Sequence, residues 1–221
     1  MELQHTLQWH RDRLGCITGS RVGEIMARGK GSEFTKTGVS YLDAIVADRL
    51  IDPSIVDDDD LFLEYLDEVD CQTKAMRIGT VREDEARELY MAITQNAVEQ
   101  TGSVRHPHIN GFASSPDGVI PTGGVLEIKC PKLTTYVNYL RDVRTPEQLR
   151  KFNPVYYWQC MSHMAVTGAR WCDFMLYNPH CRKPYHLISI LNDPDETAIL
   201  ESRVLKGLEY IEKSLAKILT V

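Results

Sequence analysis

Val125-Leu126-Glu127-Ile128-Lys129 is a short β-prone run in which apolar and polar side chains alternate from Leu126 onward, the period-two pattern of a β-strand. On such a strand Glu127 and Lys129 share one face, and Leu126 and Ile128 share the other. Pro121-Thr122-Gly123-Gly124 just before it is a turn signal, so the chain folds back there as a hairpin and brings Asp117 beside Glu127. Two further β runs are predicted over 171–177 and 185–191, separated by Asn178-Pro179, within a chain whose middle, 97–129, is β-rich. Turns are expected at His106-Pro107-His108 and Asn110-Gly111.

Helical periodicity accounts for most of the remainder. A helix over 7–13 leads through Gly15 to a second, with Ser20 as N-cap and Glu24 in its first turn, running to about Arg28. After a polar loop over 29–38, Leu42, Ile45, Val46 and Leu50 fall on one helix face. A long helix is predicted over 73–94, others over 134–141 and 155–166, and a closing helix over 194–219. Its stripe is Ile199, Val204, Leu208, Ile211, Leu215 and Ile218 or Leu219. This order predicts an α/β or α+β layer architecture around one central mixed sheet, as one domain over residues 1–221.

Composition is that of an ordinary water-soluble protein, 43% hydrophobic and 25% charged. No apolar run approaches the ~20 residues of a membrane span, and the N-terminus lacks the pattern of a secretory signal. The six cysteines, Cys16, Cys71, Cys130, Cys160, Cys172 and Cys181, include no Cys-x-x-Cys pair. They read as reduced cytosolic thiols, with no spacing that supports a zinc or iron–sulfur site. The net charge of −6 is misleading, because nine acids and no base fall between Leu50 and Thr73. The rest carries 22 acids against 25 Lys and Arg, a mildly basic balance that tolerates nucleic acid without requiring it. The acidic stretch itself reads as a solvated loop and short helix.

The hairpin carries the candidate chemistry. Two carboxylates, Asp117 and Glu127, can hold a hard divalent cation such as Mg²⁺, which lowers the pKa of a bound water. Lys129 can orient that water and offset charge developing on phosphorus oxygens. On the pattern alone, an ordinary Asp-Gly turn beside a solvated strand face serves as well. In the long helix, Arg82-Glu83-Asp84-Glu85-Ala86-Arg87-Glu88 is a solvated charged face or else supplies a third ligand, by position Glu83. Gly79 would then let that helix approach the sheet. Arg13-Leu14-Gly15-Cys16-Ile17-Thr18-Gly19-Ser20 joins a guanidinium, tight turns and a hydroxyl at a helix N-terminus, the ingredients of a phosphate site. Within the aromatic Tyr156-Tyr157-Trp158-Gln159, the Gln159 amide needs a polar partner. His106 and His108 read as surface residues, and His10, His163, His180 and His186 carry no signal.

These segments, in this order, resemble the lambda-exonuclease or YqaJ-type family of viral recombination nucleases, within the PD-(D/E)xK superfamily. The resemblance spans about residues 9–179. It rests on Arg13-Leu14-Gly15-x-Ile17-Thr18-Gly19-Ser20, Gly79-x-x-x-Glu83-x-x-Ala86-Arg87, Ser115-Pro116-Asp117-Gly118, Leu126-Glu127-Ile128-Lys129-Cys130-Pro131 and Tyr156-x-x-Gln159. It implies a restriction-endonuclease-like mixed sheet flanked by helices. It also implies a Mg²⁺-dependent exonuclease that degrades the 5′-ended strand of linear duplex DNA and leaves 3′ tails for strand annealing. By position, Asp117, Glu127 and the Ile128 carbonyl would ligate the metal, with Glu83 helping to hold a second ion; Mn²⁺ would substitute. Lys129 with Gln159 would position the attacking water, and Arg13, Ser20 and Ser115 would hold the terminal 5′ phosphate. A ring-shaped homotrimer and a single-strand annealing partner follow from the same resemblance. Two features depart from it: Ile78 stands where a tryptophan is common, and the Asp57–Asp60 run fits no family pattern. Three rivals stay open at this point: a repair or restriction endonuclease, a non-catalytic DNA-binding module of the same fold, and a hydrolase of smaller substrates.

Overall fold

The computed structural model describes residue 4, residues 6–69 and residues 74–220, with backbone alone for 74–81. Helix α1 (Leu7–Arg13) starts where the Thr6 hydroxyl accepts the Trp9 N–H at 3.1 Å, and leads through strand β1 (Ile17–Thr18) into α2 (Gly19–Met26). Thr18, not Ser20, occupies the N-cap of α2. Ser20 lies inside the first turn, where its hydroxyl is not engaged in capping. Helix α3 (Lys36–Asp48) begins inside the expected loop because Thr35 caps it, accepting the Gly38 N–H at 3.1 Å. Leu42, Ile45 and Val46 are buried as the periodicity predicts, but α3 ends before Leu50, which is exposed.

The acidic stretch forms two short helices, α4 (Pro53–Asp57) and α5 (Asp59–Val69), rather than a loop and one helix. Asp52 caps the first, and acids in the first turn of the second meet its positive end. Phe62 is buried beneath Arg11, which pairs with Asp59 at 2.6 Å. Helix α6 (Lys74–Thr94) fulfils the long-helix expectation; its predicted first residue, Thr73, and the surroundings of Ile78 and Gly79 lie outside the described residues, as does Cys71.

The β-rich middle divides between two sheets instead of joining one. Strands β2 (Val104–Arg105) and β3 (Phe112–Ser114) pair with β1 in the order β1-β3-β2. Strands β4 (Gly118–Ile120), β5 (Gly124–Lys129), β6 (Trp171–Tyr177) and β7 (Tyr185–Leu191) form the second sheet, mixed in direction. There β4–β5 and β6–β7 are antiparallel and β5–β6 parallel. Residues 115–117 cross from one sheet to the other. His106, expected at the surface, is buried in the β2–β3 turn, where its Nδ1 accepts the N–H groups of His108 and Ile109.

Between β5 and β6 run α7 (Leu133–Asp142), α8 (Pro146–Phe152) and α9 (Pro154–Thr167). The sequence reading omitted α8, although Thr145-Pro146 carries a start signal: Thr145 accepts the Gln148 N–H at 3.3 Å. Helix α9 is apolar almost all round and is buried between α2 and the mixed sheet. It covers the face of β5 that carries Val125 and Glu127, while Leu126 and Ile128 pack on the other face against Ala86 and Tyr90 of α6.

The closing helix α10 (Pro194–Leu219) begins where Asp193 accepts the Asp195 N–H. Its inward face carries Leu200, Arg203, Val204, Gly207 and Ile211; Ile199 is 47% exposed, and Ile218 and Leu219 also face outward. Arg203 breaks the apolar stripe for a reason. It donates from Nε and Nη2 to the Ile25 carbonyl at 2.8 and 2.5 Å and from Nη2 to the Glu33 carbonyl, and pairs with the Glu33 carboxylate. A side chain from α10 thus satisfies the carbonyls that α2 leaves open at its C-terminus. Arg203→Met, which keeps length and loses the donors, is expected to cost about 1–3 kcal/mol by leaving buried carbonyls unpaired. Thermal unfolding against the wild type measures that loss.

Candidate active site

The hairpin assembles as its register requires. Gly118 pairs with Leu126, which sets Asp117 opposite Glu127, and the Asp117 N–H donates to the Leu126 carbonyl at 3.0 Å. Asp117 Oδ2 accepts the Ile128 N–H at 2.6 Å. Two residues along the same face, Lys129 Nζ lies 2.5 Å from Glu127 Oε1. Glu127 has no solvent exposure, whereas the Lys129 side chain reaches the surface.

Helix α6 adds Glu83 from the other side. Arg87 Nε donates to the Asp117 carbonyl at 3.1 Å and pins the helix to the start of β4; Glu83, one turn earlier, shares that face. Helix α9 adds Gln159, buried one turn before His163, and Tyr156, whose ring centroid is 5.4 Å from Lys129 Nζ. His163, read from sequence as carrying no signal, is the contact that reading missed. Its Nε2 donates to Glu127 Oε2 at 2.6 Å, across 36 residues of sequence. No local pattern marks it; a histidine in an apolar helix, one turn from Gln159, was the available hint.

The phosphate-site residues also come together. Arg13 Nη1 donates to Ser115 Oγ at 2.9 Å and Nη2 to Ser20 Oγ at 3.4 Å. Trp9 Nε1 donates to the same Ser115 hydroxyl at 3.0 Å, and the Arg13 guanidinium stacks on the Trp9 ring at 4.2 Å. Gly15, with φ of +67°, makes the turn that returns the chain to β1 beneath this cluster. Arg13, Ser20 and Ser115 form one cluster, and Ser115 stands two residues before Asp117.

The two hairpin carboxylates are driven apart electrostatically. Burial, then the Glu127 charge, pushes Asp117 well above the usual carboxylate range. Burial also disfavours charge on Glu127, but the Lys129 ammonium and the His163 hydrogen bond outweigh it and hold Glu127 low. Burial raises Glu83, with Glu127 adding and Lys129 opposing. Lys129 is raised despite its burial, by Glu127 and Asp117, so at neutral pH it is a donor and not a base.

Three mutually repelling carboxylates around one ammonium fit a hard divalent cation by donor chemistry. A further sign is Glu127 Oε1, a buried oxygen met by Lys129 alone among the described residues. As they stand, no three His, Cys, Asp or Glu side chains among those residues are grouped closely enough to hold a metal ion. Two surface cavities, about 650 Å³ beside Arg28, Lys30 and Phe34 and about 500 Å³ beside Arg150 and Tyr157, include none of these groups. Among the described residues no helix is long and apolar enough to cross a membrane.

Residues 8–170 match the YqaJ-like viral recombinase domain. Among solved structures, an alkaline exonuclease (LHK-Exo) from Laribacter hongkongensis is 28% identical, with a TM-score of 0.78 and 96% of each chain covered; the same enzyme in complex with dAMP matches equally. A phage-related exonuclease from Haemophilus somnus 129PT is 12% identical, with a TM-score of 0.65 over 92% of this chain and 96% of that one, a likeness of fold. No curated protein matches the chain.

A carboxyl whose native pKa is raised favours the fold while protonated, and that contribution is lost as pH rises through the native pKa. Asp117→Asn, which keeps an oxygen for the Ile128 N–H, is therefore expected to stabilise the protein in chelator at neutral pH. The gain should be about 1 kcal/mol, or about 2–4 °C at this length. It should vanish below about pH 4, where unfolded Asp is protonated too. Paired melting curves at the two pH values measure it.

Proposed function

The chain belongs to the YqaJ-like viral recombinase family, and on that premise we propose that it is a Mg²⁺-dependent exonuclease of linear duplex DNA. It degrades the 5′-ended strand and leaves a 3′ tail for recombination by strand annealing. The observation that carries this reading is the adjacency of the Arg13–Ser20–Ser115 cluster to Asp117, Glu127 and Lys129. A guanidinium fork with two hydroxyls suits a terminal phosphate, and a group held at Ser115 lies beside the carboxylates. The likeness to an alkaline exonuclease that has been solved with dAMP supports a deoxynucleotide as the kind of ligand this chain takes. The 5′ polarity and the choice of Mg²⁺ are drawn from the family resemblance.

Asp117, Glu127, the Ile128 carbonyl and Glu83 would hold two ions, with Mn²⁺ able to substitute. When bound, such ions lower the pKa of water and neutralise charge developing at phosphorus. Lys129, held protonated, donates to the attacking water or to a non-bridging oxygen, and the Gln159 amide assists it. Arg13, Ser20 and Ser115 fix the terminal phosphate, so that the scissile bond is set by its distance from the chain end. Residues 1–221 act in this reading as one nuclease domain, in a ring-shaped homotrimer that works with a single-strand annealing protein.

Linear duplex labelled at one or the other end, digested with and without Mg²⁺, tests the activity. Release from 5′ ends only, and only with metal, is expected; release from 3′ ends, or equal cutting of closed circles, would sink the polarity. Lys129→Ala is expected to lower cleavage about 10²–10³-fold while duplex binding survives, as gel-shift and single-turnover assays would record. Arg13→Ala is expected to abolish the preference for a 5′-phosphate over a 5′-hydroxyl end, read as the ratio of the two digestion rates.

A further inference from the structure

Glu127 stands at one end of a buried polar chain. Its Oε2 accepts from His163 Nε2 at 2.6 Å, and His163 Nδ1 lies 2.7 Å from Ser114 Oγ. Ser114 Oγ is 3.1 Å from Ser162 Oγ, which donates to the Gln159 carbonyl at 2.7 Å. Glu127, His163, Ser114 and Ser162 are all at most 1% exposed. The far end of this chain abuts the phosphate cluster. A Cβ on Gly19 would lie 1.9 Å from Ser114 Oγ and 2.3 Å from Ser162 Oγ, so the chain closes directly against the residue before Ser20. Ser114 itself precedes Ser115.

We propose that His163 is the positioning residue for Glu127. It holds Oε2 so that Oε1 alone is presented to a divalent cation, and through Ser114 it ties that carboxylate to the segments that carry Ser20 and Ser115. An ionised carboxylate only accepts hydrogen bonds, so the proton between the two groups belongs to Nε2. No water reaches a fully buried Oε2, and without that donor the Glu127 carboxylate is held by Lys129 at Oε1 alone and is left to rotate about that contact or to offer both oxygens at once. The partner of a metal-binding group fixes its orientation in just this way, and its removal characteristically costs 10–100-fold in metal affinity. His163 touches neither substrate nor metal in this account and acts through Glu127.

The inference rests on the divalent-metal reading, and Mn²⁺ titration calorimetry on the full chain without DNA separates the two. Wild-type protein is expected to bind Mn²⁺ saturably. His163→Leu, close in volume, should weaken that binding about 10–100-fold, and His163→Gln, whose amide N–H can replace Nε2–H, should restore most of it. A merely structural role would lower the melting temperature of both variants and leave the Mn²⁺ affinity of the folded fraction unchanged. Wild-type affinity in folded His163→Leu overturns the proposal. Should that variant fail to fold, Ser114→Ala decides: weakened Mn²⁺ binding supports the chain, and unchanged binding overturns it. Wild-type protein that binds no Mn²⁺ would remove the metal reading, and the inference with it. Wild-type binding with unaffected variants removes the inference alone.

Discussion

A carboxylate with no solvent contact sits at the centre of this molecule, and the surrounding structure is organised by the need to keep Glu127 charged there. Taking a carboxylate out of water costs several kcal/mol unless fixed donors replace the lost hydration. Two do so: Lys129 at 2.5 Å and His163 at 2.6 Å. The first comes free with the pleat of β5, which puts residues two apart on one face. The second requires α9 to lie directly on the strand, and that demands a helix apolar enough to be buried on nearly every side. It also demands small residues where helix meets sheet, which is why Ser114, Ser162 and Gly19 converge behind the histidine.

The sequence was most legible where structure is local. The β-prone run over 125–129 gave the strand and the shared face of Glu127 and Lys129, and the turn over 121–124 returns Asp117; all follow from a period of two and turn chemistry. Helix ends were legible where a cap and a proline coincide, as at Asp193-Pro194, and the same signal at Thr145-Pro146 was present but passed over. What failed was decided by packing. Ser20 has the chemistry of an N-cap, yet the parallel pairing of Ile17 and Thr18 with β3 holds Thr18 extended, and the helix starts at Gly19, two residues sooner than a Ser20 cap would start it. Ile199 and Leu200 are equally apolar, and only the docking of α10 on α2 and α3 chooses between them. His163 offered only the hint of a histidine in an apolar helix, because its partner is 36 residues away and buried histidines have many ordinary uses. Arg13 and Ser20 were legible as a local phosphate-site pattern, whereas Ser115 joined them only through family resemblance, since nothing local links residues about a hundred positions apart.

The electrostatics of the site work against the fold. Asp117 is pushed up and Glu127 held down, with Glu83 raised alongside, so three acids share one ammonium in a partly dry setting. A structure selected for stability alone would replace such a cluster with apolar side chains. Local rules broken without local compensation are where function is expected to reside. The Lys129 ammonium is the nearest compensation the chain itself supplies.

The route by which a nucleic-acid strand could approach is limited on one side. Beyond Ser115 the chain is walled by α1 and Gln4: Trp9 donates to the Ser115 hydroxyl, and the Gln4 amide donates to the Pro116 carbonyl at 2.9 Å. Arg13 stacks on Trp9 within the same wall. A strand passing through to be cut internally would need that space open on both sides of the carboxylates. On the proposed function, a strand that ends there would have its last phosphate stop against that wall. Residues 115–117 span about 7 Å of extended chain, and they bridge two sheets that cannot slide independently. On that same proposed function, the distance from the Ser115 cluster to the carboxylates is set by backbone, and the cut would be measured from the end of the strand.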